Sequence, residues 1–143
     1  MSLYVVDSSV AAKWFFPEPH NEEALALLDD RHELHAPDLL LMEVDNVVCK
    51  RIRSREITVR IGREIQAALR RASVRLVRLH PSEPLLEPAF ELAVATEQSI
   101  YDCAFLALAV LLQGQMVTAD KRFLQSVRAS RYAGFVCWVA DVK

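Results

Sequence analysis

The sequence contains little glycine or cysteine and no long apolar run, and each shortage excludes a class of protein. Its 143 residues include three glycines and three cysteines. Three scattered glycines cannot build the glycine-rich loops with which P-loop and dinucleotide-binding proteins hold phosphate groups. The odd number of cysteines, without close spacing, argues against a disulfide scaffold and is typical of a reducing compartment. No apolar run approaches the roughly 20 residues of a membrane span.

The composition that remains is typical of one globular domain. Hydrophobic residues make up 52% of the chain and charged residues 25%, with a formal net charge of −2. Such a chain is too apolar and too weakly charged to be disordered. Its length suits a single domain over residues 1–143 with its own core. The N-terminal segment MSLYVVD lacks the basic and apolar parts of a signal peptide, so we expect a soluble, cytoplasmic protein.

The small net charge conceals a segregated distribution. Residues 1–45 hold ten acidic and two basic side chains, whereas residues 46–78 hold two acidic and ten basic ones. A local basic stripe can bind a polyanion even on a nearly neutral protein, because the nearby field decides binding. The candidate RNA-binding residues in this segment are Lys50, Arg53, Arg70 and Arg71. The alternative is that the arginines of this segment only solvate an exposed helix face.

Short apolar strands alternate with helices along the chain. Strands are predicted at residues 3–6, 34–36, 74–79, 116–118 and 135–139. Helices are predicted at residues 8–16, 22–31, 37–53, 58–72, 83–96, 101–112 and 120–129. This alternation predicts an α/β fold in which a parallel sheet carries helices on both faces. Ligands of such sheets bind beyond the carboxyl ends of the strands, so acidic residues at those ends are candidates for function.

Four acidic residues are candidates, and two of them, Asp7 and Asp120, lie at such strand ends. Asp7 and Asp120 follow predicted strands, Asp102 opens a predicted helix, and Glu43 lies within the helix over residues 37–53. Clustered carboxylates repel one another, and either a proton or a cation neutralises them. Oxygen ligands favour hard cations such as Mg²⁺ or Mn²⁺. The four residues therefore predict a divalent-metal site, provided that the fold brings them together.

Each acid also has an interpretation that involves no metal. Asp102 can form a capping box with Ser99, Asp120 can cap its helix, and Asp7 can accept from the amides of the next turn. Glu43 can pair with Lys50, two turns further along its own helix. Zinc is disfavoured, because His32 and His35 lie beside a predicted strand without a matching cysteine pair.

Four blocks of sequence resemble a known family. They are VVDSSVAAKW at 5–14, LLLMEVDNVVCK at 39–50, YDCAFLALA at 101–109 and VTADKRF at 117–123. In this order they resemble the PIN-domain ribonucleases, most closely the VapC-type toxins of toxin–antitoxin pairs. The resemblance implies a three-layer α/β/α sandwich with a short, mainly parallel central sheet.

The resemblance also implies which residues form the active site. The four acids Asp7, Glu43, Asp102 and Asp120 match the metal-binding and catalytic positions of the family. Polar residues that match positions beside this site are Ser9, Asn46 and Thr118. Asp45 is an additional acid where the family is variable, and we expect it to face away.

The function implied by the resemblance is Mg²⁺-dependent hydrolysis of RNA phosphodiesters, with Mn²⁺ as a substitute. It also implies 5′-phosphate and 3′-hydroxyl products, a small antitoxin as partner, and a homodimer. Two other functions stay open. One is a phosphatase with Asp7 as nucleophile, although Ser9 stands where that pattern has a second aspartate. The other is a PIN-like module that binds RNA or protein without cleaving.

Overall fold

The sheet is five-stranded and entirely parallel. The structure is a computed structural model that describes residues 2–143. Its strands are β1 (Ser2–Val6), β2 (His32–Pro37), β3 (Val77–His80), β4 (Gln115–Thr118) and β5 (Val136–Trp138). They are ordered β3-β2-β1-β4-β5. This confirms the predicted parallel sheet.

Seven helices connect and cover the strands. They are α1 (Ser8–Ala11), α2 (Asn21–Ala26), α3 (Leu39–Arg53), α4 (Val59–Arg75), α5 (Leu86–Thr96), α6 (Ile100–Leu112) and α7 (Lys121–Arg128). Parallel strands are joined by right-handed crossovers, which place α1 to α4 on one face of the sheet and α5 to α7 on the other. The result is the predicted three-layer α/β/α sandwich.

The core lies between the central strands and α6. Val5 and Val6 of β1 and Met116 and Val117 of β4 are fully buried. Successive buried residues on one strand mean that both faces of the sheet are covered, as in other parallel sheets. Helix α6 is buried continuously from Cys103 to Ala109, because it packs against the sheet on one side and α5 on the other. Burial of this apolar surface is the main stabilising contribution.

Three predicted boundaries are wrong. The strand predicted over residues 74–79 begins only at Val77, because α4 continues through Arg75 and the Leu76 amide still donates to Ala72 O at 2.7 Å. The helix predicted over residues 8–16 divides into α1 and a 3₁₀ turn over Ala12–Trp14. The helix predicted over residues 22–31 ends at Ala26.

Strand β2 is longer than residues 34–36, the range that the sequence predicts. It lies between β1 and β3, and this pairing on both sides extends it over polar residues. His35 is buried, with Nε2 2.7 Å from Glu33 Oε1 and Nδ1 2.8 Å from His80 Nε2. The buried imidazole is thus fully hydrogen-bonded, as buried polar groups require.

The structure also describes the cysteines and the longest apolar helices. Cys49, Cys103 and Cys137 are all free thiols, and Cys49 is exposed. No single helix within residues 2–143 is long and apolar enough for a membrane crossing. Only the pair Glu83–Thr96 and Ile100–Leu112, bent by 112°, meets that length and composition when the two are taken together.

Candidate active site

The topology places the carboxyl ends of β1 and β4 side by side at the point where the strand order reverses. The chain passes from β1 outward to β2 and β3, and then returns across β1 to β4 and β5. Such a reversal opens a crevice beyond the strand ends, where α/β proteins bind ligands. Asp7 follows β1, and Thr118 and Asp120 end or follow β4. The first and last of the predicted acids therefore meet at this crevice.

Asp7 is a buried carboxylate at the first turn of α1. Its side chain is only 4% exposed, and Oδ1 accepts hydrogen bonds from Ser9 Oγ and from the Val10 amide at 3.0 Å. Burial raises the pKa of Asp7 from 3.8 to about 6, although the hydroxyls of Ser9 and Thr118 and the Val10 amide favour the ionised form. The capping interpretation of Asp7 is confirmed, and it does not exclude a role in the crevice.

Ser9 and Thr118 connect Asp7 to the loop that follows β4. Ser9 Oγ donates to Asp7 and accepts from the Ala119 amide at 3.1 Å. Thr118 is fully buried, and its Oγ1 accepts from the Asp120 amide at 3.1 Å. Both residues were predicted beside the site, and the structure places both there. They fix the Asp7 side chain against the Asp120 loop.

Glu43 reaches the same region from α3. Its Oε1 is buried and has no hydrogen-bond partner within residues 2–143. Burial raises the pKa of Glu43 from 4.5 to about 7, the charges of Asp102 and Asp7 also raise it, and the Ser8 hydroxyl opposes them. Ser8 is a neighbour that the sequence interpretation missed, although its place next to Asp7 could have indicated it. A buried carboxylate oxygen without a partner needs a cation or a donor.

Asp102 and Asp120 stand at two helix starts. Ser99 Oγ accepts from the Asp102 amide and donates to Asp102 Oδ2, both at 3.1 Å. Ser99 therefore caps α6, but within residues 2–143 the Asp102 carboxylate bonds to the Ser99 hydroxyl and not to its amide, so the predicted capping box is only half formed. Asp120 Oδ1 accepts from the Arg122 and Phe123 amides at 3.0 and 3.2 Å, which confirms Asp120 as the cap of α7. Burial raises the pKa of Asp102, and the negative charge of Asp120 adds to this.

The charge of one carboxylate raises the pKa of the next, so the four acids behave as a row of neighbours. Asp7 and Glu43 each feel the charge of Asp102, and Asp102 feels that of Asp120. As placed, no three Asp, Glu, His or Cys side chains among residues 2–143 surround a single point closely enough to hold a metal ion. The donor set nevertheless suits a hard divalent cation, because it is made of carboxylates and includes the partnerless Oε1 of Glu43. Mg²⁺ characteristically uses one or two carboxylates and retains waters, so it does not need a cage of three.

Two further predicted residues on α3 have different surroundings. Asn46 is exposed one turn beyond Glu43 and forms no hydrogen bond with the four acids in the described residues, so its role in the site stays a prediction. Asp45 points to α4, where its Oδ2 accepts from Gln66 Nε2 at 2.9 Å; its Oδ1 is buried without a partner within residues 2–143, but it lies on the α4 side and not beside the other acids. This confirms that Asp45 faces away from the acidic row.

The predicted RNA-binding residues are all exposed, but they are not gathered at the crevice. Lys50 and Arg53 lie in the last turn of α3, beyond the turns that carry Glu43. Arg70 and Arg71 lie in the last turns of α4, shortly before β3 begins. Because parallel strands all begin at the same edge, this end of α4 lies at the edge opposite the acids.

With this geometry established, the chain can be compared with known proteins. Residues 4–128 match the family model of the PIN domain. The chain therefore belongs to the PIN-domain family.

Within that family the similarity is to VapC proteins. Ribonuclease VapC3 of Pyrobaculum aerophilum is 30% identical over 129 residues, which cover 87% of this chain and 95% of that protein. VapC20 of Mycobacterium tuberculosis, described as a sarcin-ricin loop cleaving toxin, has a TM-score of 0.64 at 20% identity over 86% of this chain and 94% of its own. VapBC2 of Rickettsia felis, solved with a fragment of promoter DNA, has a TM-score of 0.66 at 12% identity over 95% of this chain and 98% of its own. The two structures show that the fold is shared.

Proposed function

We propose that the protein is a divalent-metal-dependent endoribonuclease, the toxin of a toxin–antitoxin pair. The observation that carries the proposal is the partnerless, buried Oε1 of Glu43 in a row of four carboxylates at the crevice. The names of the similar proteins, a ribonuclease VapC and a toxin that cleaves RNA, support RNA as substrate. Asp7, Glu43, Asp102 and Asp120 would hold Mg²⁺ or Mn²⁺.

When bound, the metal supplies a Lewis acid that polarises the phosphoryl oxygen and lowers the pKa of a coordinated water. The chain's own residues have separate tasks. Asp7 is held in one orientation by Ser9 and the Val10 amide, so it would bind a cation with little reorganisation. The carboxyl of Glu43 has a pKa near 7, so it can hold or release a proton at neutral pH and orient the attacking water. Cleavage is expected to leave 5′-phosphate and 3′-hydroxyl ends.

The proposal is tested by incubating structured RNA with the purified protein in Mg²⁺, in Mn²⁺ and in EDTA. We expect cleavage in both metals and none in EDTA, and we expect Asp7→Asn to abolish it. Asp45→Asn is the matched control, because Asp45 lies on α3 next to the site but bonds to Gln66. Cleavage that persists unchanged in Asp7→Asn would contradict the metal site. Wild-type binding to RNA without cleavage would favour a silent PIN-like module, and phosphate release from small phosphoesters would favour a phosphatase.

The partners belong to the same proposal. Structures similar to this chain include toxin–antitoxin complexes, which support a small antitoxin protein as partner. A homodimer is supported by an apolar stripe on α5, where Leu86, Phe90 and Val94 are 56%, 57% and 64% exposed at helical spacing. A second copy of the chain would cover this stripe. Light scattering should give twice the chain mass for the wild type and the single mass for Phe90→Asp; a monomeric wild type would contradict the dimer.

A further inference from the structure

A polar groove continues outward from the acidic row. It has a volume of about 670 Å³, within the range of roughly 300–1,000 Å³ that is common for ligand pockets. Asp102 and Asp120 form one part of its lining, and the α5–α6 turn and α7 form the rest. A polymer whose scissile phosphate lies at the acids must continue into adjoining space. This groove provides such a path.

The walls of the groove are fixed by hydrogen bonds. Ser126 on α7 donates to Thr96 O at the end of α5, at 2.9 Å. Glu97, which follows, has a left-handed backbone with φ of 57° and turns the chain toward Ser99. The groove is therefore a built feature of the fold.

Within residues 2–143, Arg122 is the only basic residue that lines this groove. Across residues 2–143 it forms no ion pair, and its side chain is exposed. The other cations of α7 are directed elsewhere: Lys121 Nζ lies 5.8 Å from the centre of the Trp138 ring, and Arg128 pairs with Asp141 at 3.8 Å. Arg122 therefore has its guanidinium available for a ligand beside the acids.

The chemistry of the lining indicates the kind of ligand. Three acids, Glu97, Asp102 and Asp120, face a single arginine, and two of the three are residues that the proposed function assigns to the metal. The other lining side chains are amides and hydroxyls, with no aromatic ring on which a base could stack. Guanidinium groups bind phosphate by paired, charge-assisted hydrogen bonds. Contacts of this kind hold a strand by its backbone and do not read its bases.

We infer that the groove is the subsite for the RNA strand next to the scissile phosphate, and that Arg122 binds the backbone phosphate there. This inference rests on the proposed function and names the residue that positions its substrate. It also assigns backbone binding to a residue outside the basic segment 46–78. Arg122 acts by holding the strand and takes no part in the bond-breaking step.

The test compares Arg122→Gln with the wild type on the same structured RNA, by cleavage in Mg²⁺ and by fluorescence anisotropy over a range of salt concentrations. We expect KM and Kd to rise about tenfold with kcat within about twofold, because a charge-assisted contact to the substrate is lost away from the reacting atoms. The slope of log Kd against log salt should become shallower by about 0.7 to 0.9, the value of one phosphate contact. Arg122→Lys should restore part of the affinity. Arg128→Gln is the matched control, since Arg128 is an exposed arginine on the same helix outside the groove.

The outcomes separate this inference from the proposed function. If the wild type cleaves RNA but Arg122→Gln keeps the wild-type KM and salt slope, the subsite is wrong and the nuclease proposal stands. If the wild type binds RNA without cleaving it, the nuclease proposal is wrong. The subsite is then supported if Arg122→Gln binds RNA more weakly and with a shallower slope of log Kd against log salt. It is overturned if the Kd and the slope are unchanged. Loss of affinity that Arg128→Gln reproduces would also overturn it.

Discussion

Replacing Asp7 with asparagine should stabilise the metal-free protein at neutral pH. The pKa of Asp7 is raised by burial from 3.8 to about 6, so the folded state binds the proton more tightly than the unfolded state. Stability from this group is therefore complete below about pH 4 and is lost as the pH rises through about 6. Each pKa unit corresponds to about 1.4 kcal/mol, so ionised Asp7 destabilises the metal-free fold by about 3 kcal/mol.

Asparagine removes that charge and keeps an oxygen for the Ser9 and Val10 donors. The NH₂ group of the new side chain must find a hydrogen-bond acceptor. A poor acceptor makes the increase in the free energy of unfolding smaller. At pH 7.5 in EDTA we expect Asp7→Asn to raise the free energy of unfolding by about 1–3 kcal/mol. At pH 5 the difference should be about half of that at pH 7.5, because Asp7 is mainly protonated in the folded state but already ionised in the unfolded state.

The assay is urea denaturation of both proteins at the two pH values, with and without Mg²⁺. Mg²⁺ should stabilise the wild type, by about 2.7 kcal/mol at one hundred times its Kd, and should have little effect on the variant. The pair at pH 5 is the internal control, since it carries the same substitution while the folded Asp7 is mainly protonated. A stability difference that is the same at pH 5 and pH 7.5 would refute the desolvation of Asp7.

Three other predictions concern the site and its scaffold. Mg²⁺-dependent cleavage should rise with pH between about 6 and about 7, as Asp7 and Glu43 lose their protons and can accept a cation; a pH–rate profile that is flat over this range would contradict it. Gly114→Ala should destabilise the fold by about 1–3 kcal/mol in urea melts, because a Cβ there lies 2.8 Å from the Leu3 carbonyl oxygen, and an unchanged midpoint would count against this packing. His35→Phe should lower the free energy of unfolding by about 1–3 kcal/mol, because Glu33 and His80 each lose a hydrogen bond to the buried imidazole; an unchanged free energy would contradict this.

Strand ends and helix starts made much of the acidic row predictable from sequence. Asp7 and Asp120 follow short apolar strands, and parallel topology requires those ends to share one edge. Glu43 is different, because a helix position does not specify how far the side chain reaches. Its position beside Asp102 and its partnerless Oε1 emerge only from the packing of α3 against α1.

Charge counting located the basic residues less well. Ten basic side chains within residues 46–78 suggested one surface, but α3 and α4 carry them to different ends of the molecule. Arg122 lies outside that segment, in residues 79–143 where seven acids outnumber five bases, so charge counting does not single it out, although it lines the same groove as Asp120. Likewise, the polar residues at the start of β2 made the predicted strand too short, because pairing with two neighbouring strands outweighs local preference.

The central claim is that the row of four carboxylates holds a divalent cation, and Mn²⁺ binding followed by electron paramagnetic resonance tests it most directly. We predict that the wild type removes free Mn²⁺ from solution and that Asp7→Asn and Glu43→Gln each weaken this binding at least about tenfold. Asp45→Asn, on α3 but facing Gln66, should bind Mn²⁺ as the wild type does. Equal Mn²⁺ affinity in all four proteins would contradict the account.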